Sequence, residues 1–167
     1  LAFGCAEEFL PPAVADYIRT HNLYGTGRDL KNLPMEQLEA EVTKLLKPQR
    51  VPHVLGCRDT AVLMARKWGA NETDAARAGL LHDVTKALDT PQQLQLCAHY
   101  GMIASDLAHI QPSLLHAVSG ALAAEYVFGE TPEVCSAIRW HTTGKPDMTT
   151  LEKIIYLADY IEPNRTI

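Results

Sequence analysis

Between its prolines and glycines this sequence repeats Ala, Leu, Glu and Gln at helical spacing, and it contains no alternating run of β-branched residues from which a sheet is built. That pattern predicts an all-α fold. Helices are expected at residues 11–20, 34–47, 52–68, 72–86, 91–100, 112–128, 131–141 and 148–162, each bounded by Pro, Gly or a capping residue such as Asn71, Ser113, Thr131 or Thr149. Residues 26–33 read as a linker, and Lys47-Pro48 as a boundary between an acidic amphipathic helix and a histidine-bearing stretch. The stripe of Met35, Leu38, Val42, Leu45 and Leu46 on that first helix predicts docking on the same domain.

With 167 residues, 47% of them hydrophobic, the chain is the size of one domain with an ordinary core. Fifteen Lys and Arg against twenty Asp and Glu give a formal net charge of -5. Such a balance lacks the cationic footprint that duplex nucleic acid demands, so no nucleic-acid partner is expected. The four cysteines, Cys5, Cys57, Cys97 and Cys135, are far apart and form no C-x-x-C pair, which reads as reduced core thiols in a cytoplasmic protein. No apolar run reaches the roughly 18–20 residues that span a bilayer, and the N-terminus has no signal-peptide pattern, so no membrane partner is expected. The start on Leu1 rather than Met is expected of a piece of a longer product.

The chemistry begins at His82-Asp83, where an imidazole and a carboxylate adjacent at the end of a helix can both reach one cation. His82 shares a helical stripe with the small residues Ala75, Ala78 and Gly79, so it faces inward. His53 shares one with Gly56, Cys57, Ala61, Met64 and Trp68, and Asp159 lies beside an apolar face of Leu151, Ile154, Ala158 and Ile161. An ionised carboxylate buried alone costs several kcal/mol. An inward Asp159 therefore needs a basic partner, such as Arg165 or Lys153, or a metal shared with His53, His82 and Asp83. His116 and His141 also close inward-facing stripes. Thr142-Thr143-Gly144 then ends a helix with hydroxyls, backbone N–H groups and a Gly free to take positive φ, a combination suited to phosphate oxygens; Lys86, one turn after His82, adds a point charge. His21, His99 and His109 lie in polar or turn contexts and are assigned no role.

Together Arg50-x-x-His53, AGLLHDVTK, LLHAVSGALAAEYVFG and AIRWHTTGKPDMTTLEKIIYLADYIEPNR resemble the HD superfamily of metal-dependent phosphohydrolases. Within it, His-Thr-Thr-Gly followed by Ala-Asp-Tyr-Ile-Glu-Pro-x-Arg resembles the YqeK-type symmetrical bis(5'-nucleosyl)-tetraphosphatases. The resemblance runs from about Glu39 to Arg165. It implies an HD-domain helical bundle and a cytoplasmic enzyme that splits diadenosine tetraphosphate into two ADP with iron as its metal. Metal ligands carry over to His53, His82, Asp83 and Asp159, and nucleotide-side residues to Lys86, His116, His141, Thr142, Thr143, Gly144 and Arg165. It also implies a further helix beyond Arg165 that this chain does not contain. FLPPAVADYIRTHNLYG resembles the tail of bacterial nicotinate-nucleotide adenylyltransferases. The expected organisation is thus an N-terminal segment and linker, 1–33, belonging to an upstream adenylyltransferase domain in a fused parent, and a phosphohydrolase domain, 34–167.

In this reading Asp83 orients the attacking water, and His116 or His141 protonates the leaving ADP oxygen. The inward groups also leave room for a second ion about 3.5–4 Å from the first, with His116 and His141 as its ligands. Two other functions fit the same residues: hydrolysis of a nucleoside monophosphate or guanosine polyphosphate, and a non-catalytic nucleotide-sensing helical module. Oligomeric state stays open, a homodimer included.

Overall fold

Residues 10–21 and 29–165 are described in a computed structural model, and every regular element among them is helical. In chain order these are α1 (Pro12–Thr20), α2 (Met35–Leu45), a 3-10 turn (Pro48–Arg50) leading into α3 (Val51–Trp68), α4 (Glu72–Leu81), α5 (Thr90–His99) and α6 (Ser105–Ile110). A second 3-10 turn (Pro112–Leu114) then leads into α7 (Leu115–Tyr126), followed by α8 (Pro132–Trp140) and α9 (Thr150–Ile161). Asn71, Thr131 and Thr149 cap their helices as expected, each side chain accepting from the amide three residues on. Ser113 does not: α7 begins two residues later, behind a 3-10 turn opened by Pro112, and its N-cap is Leu114. The short α6 has no counterpart among the expected helices.

The bundle is organised around α3, which packs on α4 and α9, and α8, which packs on α7, α4 and α9. Close approach of α3 and α4 depends on Gly79. A Cβ at that position would stand 2.7 Å from the Cα of Arg58, so α4 lies on bare α3 backbone there. Leu38, Val42 and Leu46 are buried in the same core cluster as Val54, Leu80, Phe128 and Ile155. Lys47-Pro48 is therefore a turn within one core and not a boundary, because the apolar stripe of α2 is covered by the helices that follow. Residues 29–33, expected as linker, are also tied down: Asn32 N–H donates to the Phe128 carbonyl at 2.9 Å, and Arg77 donates to the Leu33 carbonyl and grips buried Glu130 with two bonds of 2.6 Å. The remainder of the expected linker, and Cys5, lie outside the described residues; Cys57, Cys97 and Cys135 are buried free thiols. No helix among the described residues is long and apolar enough to cross a membrane.

Candidate metal centre

Helix α4 stops at Leu81, five residues short of the expected end, and the reason lies in His82 itself. Its Nδ1 donates to the Gly79 carbonyl at 2.8 Å, the acceptor that the Asp83 amide would use in a continuing helix. The chain tightens into successive i to i−3 turns, Val84 to Leu81, Lys86 to Asp83 and Leu88 to Thr85. His82 and Asp83 therefore sit in a tight turn at the helix end. His141 does the same at the end of α8, with Nδ1 donating to the Ile138 carbonyl at 2.6 Å, and His116 at the start of α7, with Nδ1 donating to the Ser113 carbonyl at 2.7 Å. His53 donates from Nδ1 to Glu162 Oε1 at 2.9 Å.

Each Nδ1 is thus occupied by an acceptor, and each Nε2 points inward. Two trios result, one of His53, His82 and Asp159 and one of Asp83, His116 and His141. In the first, His53 Nε2 lies 3.3 Å from His82 Nε2 and 3.1 Å from Asp159 Oδ1. In the second, His116 Nε2 lies 3.2 Å from His141 Nε2 and 3.3 Å from Asp83 Oδ1. Asp83 joins them, because its other oxygen, Oδ2, lies 3.5 Å from His82 Nε2 and 3.8 Å from His53 Nε2. Imidazole nitrogens facing each other and a carboxylate at such distances need positive charge between them, from a proton or a metal ion.

Titration follows the same demand. Burial lowers the His82 pKa, but the neighbouring Cys57 and Asp83 reverse this and raise it well above the usual histidine value. Burial would raise the Asp83 carboxyl, yet His82, Lys86 and Arg50 hold it well below the carboxylate range. Asp159 is held low against its burial by the His53 hydrogen bond and the charge of His82. By contrast, burial pushes His116 down to about 4 and His141 down to about 3, so both are neutral at physiological pH with lone pairs on Nε2. Asp83 Oδ1 is the one buried side-chain polar atom among the described residues without a hydrogen-bond partner. Imidazole nitrogens with two carboxylates and one orphaned oxygen form a donor set that suits a divalent first-row metal ion.

The expected anion groups divide. Lys86 reaches the cluster, its Nζ 3.0 Å from His116 Nε2, and burial lowers its pKa. Arg165 is drawn onto Asp159, donating to Oδ1 at 2.8 Å and to the Asp159 carbonyl, with its guanidinium over the Tyr160 ring. Gly144 takes the anticipated positive φ, 63°, but its N–H donates to the Trp140 carbonyl at 2.9 Å within the turn; Thr143 donates its hydroxyl to the Gly144 carbonyl, and Thr142 is half-buried. Two residues at the centre were given no role by the sequence reading. Arg50 donates from Nε to Asp83 Oδ2 at 2.6 Å, and Glu162, buried, holds His53. Both lie inside motifs that carry the family resemblance, and those motifs were the available signal.

Comparison with known proteins agrees with this geometry. The HD domain family matches residues 50–164. The symmetrical bis(5'-nucleosyl)-tetraphosphatase of Bacillus subtilis (strain 168) is 40% identical over 131 residues, 78% of this chain and 70% of that protein. A Mycoplasma pneumoniae (strain ATCC 29342 / M129 / Subtype 1) protein named "Probable nicotinate-nucleotide adenylyltransferase/Ap4A hydrolase" is 31% identical over 159 residues, 93% of this chain and 41% of that one. A Clostridium acetobutylicum crystal structure described as a "predicted HD superfamily hydrolase involved in NAD metabolism" superposes with a TM-score of 0.76 at 37% identity, covering 81% of this chain and 72% of that one.

Proposed function

The chain belongs to the HD domain family, and on that premise we propose that it is a metal-dependent phosphohydrolase that cleaves diadenosine tetraphosphate symmetrically into two ADP. The observation that carries the reading is the orphaned Asp83 Oδ1 among inward Nε2 atoms, joined to a relative of that activity at 40% identity. His53, His82, Asp83 and Asp159 hold the metal, with iron the ion that the family resemblance favours. A divalent ion supplies Lewis acidity to a phosphate oxygen and lowers the pKa of water toward neutrality.

The remaining work falls to side chains. Asp83 Oδ1 has accepting capacity left and orients the water that attacks phosphorus in line. Either His116 or His141, neutral with its lone pair inward, accepts the one proton that the attacking water loses, and that proton then passes to the departing ADP oxygen. Lys86 balances the polyphosphate charge that grows in the transition state, and Arg165 with the Thr142-Thr143-Gly144 turn is the nucleotide side that the family resemblance implies. Hydrolysis consumes one water and the central P–O–P linkage and leaves two nucleoside diphosphates. Cytoplasmic residence accords with such a substrate and with the reduced buried thiols.

A second ion is favoured by one contact, His116 Nε2 to His141 Nε2 at 3.2 Å beside Asp83 Oδ1. Lys86 Nζ, at 3.0 Å from His116, occupies that side and favours a phosphate there, so the single-ion form is the primary reading. Anomalous scattering distinguishes them by the number of metal peaks. The domain organisation proposed is a phosphohydrolase unit over 34–167 behind the tail of an adenylyltransferase domain in the parent chain, supported by the extended match to the Mycoplasma protein.

The function is tested by incubating the protein with diadenosine tetraphosphate, with ferrous iron in one arm and chelator in the other, and separating the nucleotides. ADP alone, lost with chelator, is expected. ATP with AMP overturns the symmetrical assignment, and release of phosphate from a nucleoside monophosphate or guanosine polyphosphate in its place points to another HD reaction.

A further inference from the structure

Beside the metal cluster lies a cavity of about 160 Å3, lined by Leu46, Lys47, Gln49, Arg50, Lys86 and Ala87. Three of these side chains are cationic and none is acidic. The cavity shares two of its walls with the cluster: Arg50 is hydrogen-bonded to Asp83 Oδ2, and Lys86 to His116. Asp83 is the carboxylate that answers both, and its Oδ1 lies 3.9 Å from Lys86 Nζ. Asp83 and Asp159 both act on Lys86, but no acidic residue lines the cavity itself, where Lys47 adds a third cation.

Shape limits what that anion can be. Whole drug-sized ligands occupy roughly 300–1,000 Å3. The cavity is too small for a nucleoside and suits phosphate groups. Because Arg50 and Lys86 belong to both the cavity and the metal cluster, a phosphate chain held at the cluster can run on into the cavity. The local fold holds it open: buried Leu46 anchors the end of α2, and the 3-10 turn Pro48–Arg50 swings Lys47 and Gln49 across from Lys86.

We propose that this cavity is a second phosphate subsite, built by Lys47, Gln49, Arg50 and Lys86, that holds the phosphates beyond the scissile one and so reads the length of a polyphosphate chain. The proposal rests on the phosphohydrolase reading above for its place in the reaction, although its binding test does not.

The test is calorimetry on the chelated full chain with inorganic tripolyphosphate and orthophosphate as probes. Tripolyphosphate is expected to bind at least tenfold tighter than orthophosphate. Lys47→Glu is expected to cost at least tenfold in tripolyphosphate affinity and less than twofold in orthophosphate affinity, while Lys47→Arg retains both. Lys67→Glu, the same charge change near the far end of α3, is expected to change neither. Lys47 is exposed, and a thermal melt checks that the variant folds; Gln49→Glu places negative charge on the same wall if it does not. Unchanged tripolyphosphate affinity in Lys47→Glu overturns the subsite, as does an equal loss in Lys67→Glu. Turnover of diadenosine tetraphosphate by the unsubstituted protein is scored separately: its absence overturns the proposed reaction, while the calorimetry decides the cavity.

Discussion

Glu162 accepts a hydrogen bond from His53 Nδ1 at 2.9 Å, joining residues 109 positions apart in sequence. Its second oxygen accepts from the Asn164 amide at 2.7 Å, and the Asn164 side chain donates to the Pro52 carbonyl at the start of α3. The chain beyond α9 is in this way clasped to the base of the helix that carries His53. Space for the clasp is made by Gly56, where a Cβ would collide with Glu162 Oε2. A carboxylate behind a metal-binding imidazole fixes its tautomer and raises its basicity.

Glu162→Gln is therefore expected to weaken metal retention roughly 10–100-fold. Glutamine has one oxygen for two donors, so either His53 or the Asn164 amide loses its acceptor. Gly56→Ala should act in the same direction by displacing the carboxylate. Metal content after dialysis against graded chelator checks both; full retention in both variants shows that the clasp does not position His53.

Asp83→Asn removes the charge and one of the oxygens that join the two trios. The expected result is loss of bound metal and a fall in turnover of at least about 100-fold, the scale of general acid–base contributions. His141→Ala keeps the first trio intact and is expected to retain one ion per chain while losing turnover. Elemental analysis beside a product assay reads both quantities, and a fall from two ions per chain in the parent to one in His141→Ala would favour the two-ion form.

Much of the cluster was legible beforehand because helical period turns each side chain inward on its own helix: His53, His82, His116, His141 and Asp159 come together, four of them buried. The helix end at Leu81 was not legible, because the cause is a side chain competing for a backbone acceptor, and period alone extends a helix through such a residue. Arg50 and Glu162 escaped for a different reason. Each acts through a partner far along the chain, Asp83 and His53, and nothing local to Arg50 or Glu162 states that pairing.

The two neutral histidines make the metal-free fold acid-labile. A group whose folded pKa lies below its unfolded value costs nothing above the unfolded pKa, and stability is lost as pH falls from there toward the folded pKa. For His141, at about 3 in the fold against 6.5 unfolded, and His116, at about 4, that window runs from about pH 6.5 down to about 4. His82, raised, has the opposite sign, and its contribution is fully present below pH 6.5. Urea midpoints of chelated protein should thus fall across that window, and His141→Gln should flatten the slope by up to about 1.4 kcal/mol per pH unit, the value for one proton. An unchanged slope in that variant would mean that His141 is already charged in the fold.

Gly79→Ala tests the packing that brings the two halves of the first trio together. The added methyl would meet the Arg58 Cα at 2.7 Å and its nitrogen at 3.0 Å, both backbone atoms that no rotamer change can move. Overpacking of this kind costs on the order of 1–3 kcal/mol, and about 1 kcal/mol lowers the melting temperature of a chain this size by roughly 2–4 °C. Helix propensity pulls the other way by about 1 kcal/mol, because alanine is the better helix former. The steric term wins if α3 and α4 cannot separate, and they are held by the buried core on both sides of the contact. A melting temperature several degrees lower is expected, with weaker metal retention, because His53 rides on α3 and His82 on the end of α4. A melting temperature at or above that of the parent would show that the helices can part at Gly79 at no net cost.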